Sequence, residues 1–118
     1  MPNISAPGVI LVSHSIESGS ASVKDIDTGL QAAADVLSTL YVEARKTHPT
    51  LKGHIRRTFH IGPDGTVRMF AAGNSEFYPE EGKSISGEFV AATFGKKYQF
   101  PQIGDNVLLK IDFQLVPD

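Results

Sequence analysis

A helical repeat of apolar residues dominates the first half of the chain. Between Ser22 and Thr47, apolar side chains recur at steps of three and four, which places them on one face of an α-helix. The Ser22…Asp25 spacing resembles a capping box, and Pro49 ends the helix because the residue before a proline avoids the α region. Gly29 is the weak position and predicts a kink or a later start. The apolar stripe comprises Ile26, Leu30, Ala33, Leu37, Leu40 and Ala44, and it is widened by Val36 and Tyr41.

Elsewhere apolar and polar residues alternate, which is the period of a β-strand. Alternation predicts a strand over 53–61, a hairpin turn at Gly62-Pro63-Asp64-Gly65 and a return strand. It also predicts a long, half-buried strand over 107–115, and the apolar run at 9–12 indicates a short first strand before a polar loop at 17–22. The residues expected on the inner side of the hairpin are Ile55, Phe59, Val67, Met69 and Ala71.

A second helix is predicted over 84–98, with Ile85 and Phe89 among its inward residues, after an irregular acidic segment at 73–83. The element order is therefore β-α-β-β-α-β. Two helices can cover one face of a sheet whose adjacent strands form an antiparallel hairpin. The pattern thus predicts an α+β fold, a two-layer sandwich with an antiparallel sheet of three to four strands packed against two helices.

Composition narrows the function classes. The chain has 118 residues, a net charge of −2 and no cysteine, so disulfides, thiol nucleophiles and thiolate metal sites are excluded, and no global field favours nucleic acid. No apolar run reaches the roughly 18–20 residues of a membrane span. The N-terminus lacks the pattern of a signal peptide. We therefore expect a cytoplasmic protein from the chain as written, or a periplasmic one from a fragment of a longer membrane-anchored protein.

An ordered series of motifs resembles the C-terminal domain of the AgmX/PglI family, a relative of the TonB C-terminal domain. Its central part reads Tyr41-x6-His48-Pro49-Thr50-Leu51-Lys52-Gly53, followed by Ile55-x3-Phe59-His60-Ile61-Gly62-Pro63-Asp64-Gly65-Thr66-Val67. The flanking matches are Gly19-Ser20-Ala21-Ser22 with Ile26, Gly73-Asn74-Ser75, Tyr98-Gln99-Phe100-Pro101 and the final alternating strand. The resemblance covers roughly residues 17–116.

The resemblance implies a single TonB C-terminal-like domain over 1–118, in which residues 1–16 form an N-terminal strand extension. It further implies work in a bacterial cell-envelope, motility or transport-related assembly, where such domains grip a partner's extended segment by adding strands edge to edge. The family has no catalytic residues to carry over. Two family cysteines correspond to Leu40 and about Val90, and a position that is apolar in the family is Arg57 here.

The candidate chemistry is sparse, so we predict no enzyme, no cofactor and no metal site. His54 and His60 share a strand face, but six residues span about 20 Å along a strand, too far to share one ion. No Gly-x-Ser-x-Gly elbow is present. A rival interpretation is a small-molecule-binding or hydrolytic domain that uses a helix–sheet cleft, with Arg57 as its anion anchor.

We predict instead a protein-interaction domain without direct membrane insertion or nucleic-acid binding. Its partner is another protein, or a second copy in a homodimer. The candidate contacts are Leu108, Lys110 and Asp112 on the last strand, if that strand is an open edge, and Phe77 and Tyr78 in the acidic loop. In the alternative, the strand at 9–12 pairs with the last strand and closes that edge.

Overall fold

The structure is a computed structural model that describes residues 4–72, 76–78, 88–89 and 100–117. Its elements in chain order are β1 Ser5–Ala6, β2 Val9–Ser18, α1 Val23–Arg45, β3 Lys52–Ile61, β4 Val67–Ala72, β5 Glu76–Tyr78 and β6 Val107–Leu115. Among these residues no helix has the length and apolar character that crossing a bilayer requires.

One antiparallel sheet contains all six of these strands and curls into an open half-barrel. Its order is β1-β2-β6-β3-β4, and β5 pairs with the first residues of β3 on the side that β4 leaves free. The predicted sandwich of three to four strands and two helices is therefore wrong. The predicted second helix at 84–98 lies outside the described residues, except for Glu88 and Phe89, whose backbone is helical.

The helix α1 forms where the apolar stripe predicts it. Ser22 caps it by accepting a hydrogen bond from the Asp25 backbone N–H at 3.1 Å. The helix runs through Gly29 without interruption. The Phe100 ring fills the space that a Cβ atom would take there. The predicted late start is thus wrong, and this glycine serves close packing.

The core lies between α1 and the concave face of the sheet, and aromatic rings fill its centre. Phe59 contacts Phe89 and Phe100 at centroid distances of 6.3 and 6.2 Å, and Phe89 lies 6.2 Å from Phe113. Tyr41, from the buried face of α1, donates its hydroxyl hydrogen to the backbone carbonyl of Leu51. These contacts hold the helix against one face of the sheet, and no described helix covers the other face.

The strand β6 has the bounds that alternation predicts, and Val107, Leu109, Ile111, Phe113 and Leu115 are all buried. In contrast, β2 continues six residues beyond the predicted end at position 12, so the loop expected at 17–22 begins later. Pairing with β6 extends it, since residues up to Ser18 align with β6 through two bulges.

Two further expectations fail at the hairpin and after it. A bulge after His60 shifts the register, so Phe70 rather than Met69 stands opposite the buried Phe59. Residues 76–78, expected in an irregular segment, form β5 opposite residues 52–54, while 73–75 and 79–83 lie outside the described residues.

Candidate interaction surface

The face of the sheet away from α1 has an ordered pattern of polar side chains, which we call the open face. Cα partners across the ladders place its residues in rows that cross β2, β6 and β3. Its members are Ile10, Ser13, Ser15 and Ser18 of β2, Leu108, Lys110, Asp112 and Gln114 of β6, and Lys52, His54, Arg56, Thr58 and His60 of β3.

Asp112 holds two β3 side chains in place at the centre of the open face. Its Oδ1 lies 3.0 Å from His54 Nδ1, and its Oδ2 accepts a hydrogen bond from Arg56 Nε at 3.2 Å. The Asp112 side chain is only 18% exposed, so this pairing is partly shielded from water. The arrangement fixes the two β3 side chains. It also balances the negative charge of Asp112 with the Arg56 guanidinium of the same chain.

Lys110 lies one step along β6 and is exposed. In the described part of the chain its ammonium forms no ion pair. It borders a groove of about 340 Å³ whose walls are side chains of three strands. The groove is lined by Ser13, His14, Ser15, Arg56, Lys110, Ile111 and Asp112.

Two more grooves lie on the open face, one toward each end of β6. The groove near the C-terminus has about 260 Å³ and includes His54 and Gln114. The other has about 210 Å³ and includes His60 and Leu108. All three grooves are shallow surface features of a sheet face, and none is an enclosed cleft between helix and sheet.

The last strand is not an open edge. β6 pairs with β3 over its whole length and with β2 from Leu108 to Leu115. The prediction that Leu108, Lys110 and Asp112 line a free edge is therefore wrong, and the alternative in which the first strand covers β6 is confirmed. The three residues instead form the middle column of the open face.

One free edge of the described sheet belongs to β2, and β4 is the last strand on the opposite side. On its outer side, β1 pairs only with Val9 and Ile10, and the Leu11 N–H donates to the Ile4 carbonyl at 3.1 Å. From position 12 to 18 no described residue pairs with this side, which we call the β2 edge. Val12 and Ile16 are 50% and 39% exposed along it.

The two predicted aromatic contacts lie at the other side of the sheet. Phe77 and Tyr78 belong to β5, where their Cα atoms stand opposite Gly53 and Lys52. The structure thus places them on a strand, distant in sheet order from the β2 edge, and not beside Leu108, Lys110 or Asp112 in one site.

Arg57 takes the core-facing register between Ile111 and Ala72 and is half-buried. Burial lowers the pKa of its guanidinium by desolvation, and its Nη1 donates to the Arg56 carbonyl at 2.9 Å. It lines none of the three described grooves. The helix–sheet cleft interpretation therefore gains no support from the described geometry.

Comparisons with known protein families, curated proteins and solved structures gave no match. Within the described residues no cluster of three or more histidine, aspartate or glutamate side chains has the geometry to hold a metal ion.

Sequence reasoning missed the β2 edge itself. Residues 13–18 are polar apart from Ile16, because this stretch is exposed and therefore lacks an alternating pattern. One signal was present: the β-branched Val12 and Ile16 flank Ser-His-Ser, a composition that suits an exposed strand better than a loop.

Proposed function

We propose that this chain is a non-enzymatic protein-interaction domain that receives an extended segment at the β2 edge. One observation carries the proposal: seven consecutive positions of a strand, 12–18, have no partner on their outer side among the described residues. Such an edge presents free N–H and C=O groups that template pairing with another chain. The resemblance to TonB-type domains supports the same mode and suggests a bacterial envelope assembly as its setting.

The β2 edge lacks several protections that isolated edges carry. It has no proline, and Glu17 is its one acidic residue. Two exposed β-branched side chains, Val12 and Ile16, offer apolar contacts to the incoming strand. Cross-strand pairs of this kind contribute about 0.2–1 kcal/mol each.

The bulges set the length of the segment that fits. Regular pairing with β6 is interrupted between Leu11 and Ser13 and again between Ile16 and Ser18. Bulges bend and twist a strand, so residues 13–16 form the regular part of the ladder, and the bulge residues Val12 and Glu17 stand at its two ends. We therefore propose a short partner segment, held by a few backbone hydrogen bonds and flanking side-chain contacts.

The test is a selection of short peptides from a random displayed library on the immobilised domain, followed by binding titrations with two proline variants. Backbone N–H groups of consecutive strand residues point to opposite sides. Of His14→Pro and Ser15→Pro, one removes a donor from the outer side and the other a donor to β6. The expected result is that the outward variant keeps its thermal stability and loses peptide binding.

A matched control is Lys24→Ala, an exposed change on α1 that leaves the β2 edge intact. It should bind the selected peptides as the parent chain does. If peptides bind the stable proline variant as tightly as the parent, they use another surface. In that case, or if the library yields no binder, the proposal fails.

A further inference from the structure

We propose that the strand received at the β2 edge is β2 of a second copy of this chain, antiparallel to the first and related by a two-fold axis through His14. This inference rests on the proposed function, because it names the partner of the same edge. It follows from the self-complementary order of residues 12–16 and from the charges beside them.

The sequence Val12-Ser13-His14-Ser15-Ile16 reads almost alike in both directions. In an antiparallel pair centred on His14, Val12 stands opposite Ile16 of the second copy and Ser13 opposite Ser15. A two-fold interface requires such reciprocity, since residue i meets residue j and residue j meets residue i. The pairing joins β-branched side chains, which favour strands, to each other and serines to each other.

Charges on the open face complement each other in the same register. Within one copy Ser13 is the Cα partner of Asp112, and Ser15 is the partner of Lys110. Joining Ser13 to Ser15 of the second copy therefore creates a row that runs from Asp112 through two serines to Lys110 of the second copy. Its ends lie three strand spacings apart, about 14 Å between Cα atoms. The Asp112 carboxylate is already paired with Arg56 and His54 of β3, so the row adds a long-range attraction between Lys110 and this acidic end and no new ion pair, and symmetry produces the row twice.

The ends of the edge limit the assembly to two copies. At one end β1 occupies the outer side as far as Leu11, and at the other Glu17 stands in the second bulge. The paired stretch is thus confined to the region around His14. A two-fold pair uses both copies of the edge and closes, so it does not propagate into a filament.

The chain has no cysteine, so a single introduced thiol reports the register. Directly opposed residues of an antiparallel pair have Cα atoms about 4.5–5.5 Å apart, within the range of a disulfide. His14→Cys should therefore form a disulfide dimer on mild oxidation. The rate should exceed that of Lys24→Cys on α1 by about tenfold, because pairing raises the local thiol concentration.

Two more variants distinguish the proposed register from any other contact. In a dimer of Ser13→Cys, or of Ser15→Cys, the two thiols are offset by two residues along the paired strands. Either variant alone should therefore cross-link slowly. An equimolar mixture should cross-link quickly, since position 13 of one copy meets position 15 of the other. Fast cross-linking of Ser13→Cys alone, or a His14→Cys rate no higher than that of Lys24→Cys, overturns the inference.

Sedimentation equilibrium measures the dimer dissociation constant of the chain without an introduced cysteine. The parent chain should show a monomer–dimer equilibrium, and His14→Asp should weaken it at least tenfold by placing like charges opposite each other. A parent chain that stays monomeric overturns the second-copy inference. If library peptides still bind its β2 edge, edge pairing itself survives; if none bind, both proposals fail.

Discussion

Gly29→Ala should destabilise this protein, although the same change inside most helices is stabilising. Alanine gains about 1 kcal/mol over glycine in helix propensity. Here, however, an added Cβ would stand 2.0 Å from Cδ1 and 2.4 Å from Cγ of the Phe100 ring. Carbon atoms in favourable contact are about 3.5–4.0 Å apart, so the ring must move by more than 1 Å.

The ring has little room to move. Phe100 is 1% exposed and packs edge-on against Phe59 at a centroid distance of 6.2 Å. Overpacking of a tight core costs about 1–3 kcal/mol, and the rigid contact on the far side favours the upper end. After the gain in helix propensity, the net loss in unfolding free energy is about 2 kcal/mol. For a domain of this size that is roughly 6–10 °C in melting temperature.

Urea denaturation of Gly29→Ala measures this loss, with Thr39→Ala as the matched control. Thr39 is an exposed residue of α1, and its change to alanine should be neutral or stabilising by about 0.5 kcal/mol. Adding Phe100→Leu to Gly29→Ala should recover at least about 1 kcal/mol in a double-mutant cycle, because a smaller side chain yields space. If Gly29→Ala is as stable as the control variant, the packing of Phe100 on the helix is refuted.

Three further stability predictions follow from local contacts, each measured by urea denaturation. Asp112→Ala should cost about 1–2 kcal/mol by removing the acceptor of Arg56; Asp112→Asn keeps an acceptor without the charge and should lose most of the same stability, so an Asn variant as stable as the parent would contradict a role for the charge. Ser22→Ala should cost about 1 kcal/mol through loss of the helix cap, whereas Ser22→Thr should retain most of it; equal losses refute the cap. Gly65→Ala combines a φ of +85° with a carbonyl 2.1 Å from the new Cβ, so it should cost more than Gly104→Ala, where φ is +77° and the space is open. Equal costs at the two glycines would show that the close approach at Gly65 is unimportant.

The sequence predicts α1 and β6 because each element has a periodic apolar pattern of its own. The stripe of α1 and the alternation of β6 each arise from one apolar side packed on the core, and both elements occur as predicted. The polar half of β2 gives no such signal, since Ser13, His14 and Ser15 are exposed. Its strand conformation depends on pairing with β6, about 95 residues away along the chain.

Strand order explains why the predicted edge strand was β6 while the structure has a free edge at β2. Alternation in β6 shows that one side of the strand is buried, but it does not reveal which strands lie beside it. Leu108, Lys110 and Asp112 therefore have the same pattern in an edge strand and in a central one. Similarly, the two bulges in β2 and the bulge before Ile61 change the register in ways that no period-two pattern records.

Residue-resolved amide exchange at His14 and Ser15 tests the central claim, that the outer side of β2 is the surface that receives a strand. In the dilute, unliganded chain one of these neighbouring amides should exchange fast and the other slowly, since only one donates to β6. When the edge is occupied by a selected peptide or by a second copy, the fast amide should become protected while the slow one stays unchanged. Protection of both amides in the dilute chain, or a fast amide that stays fast in the saturated complex, would contradict the account.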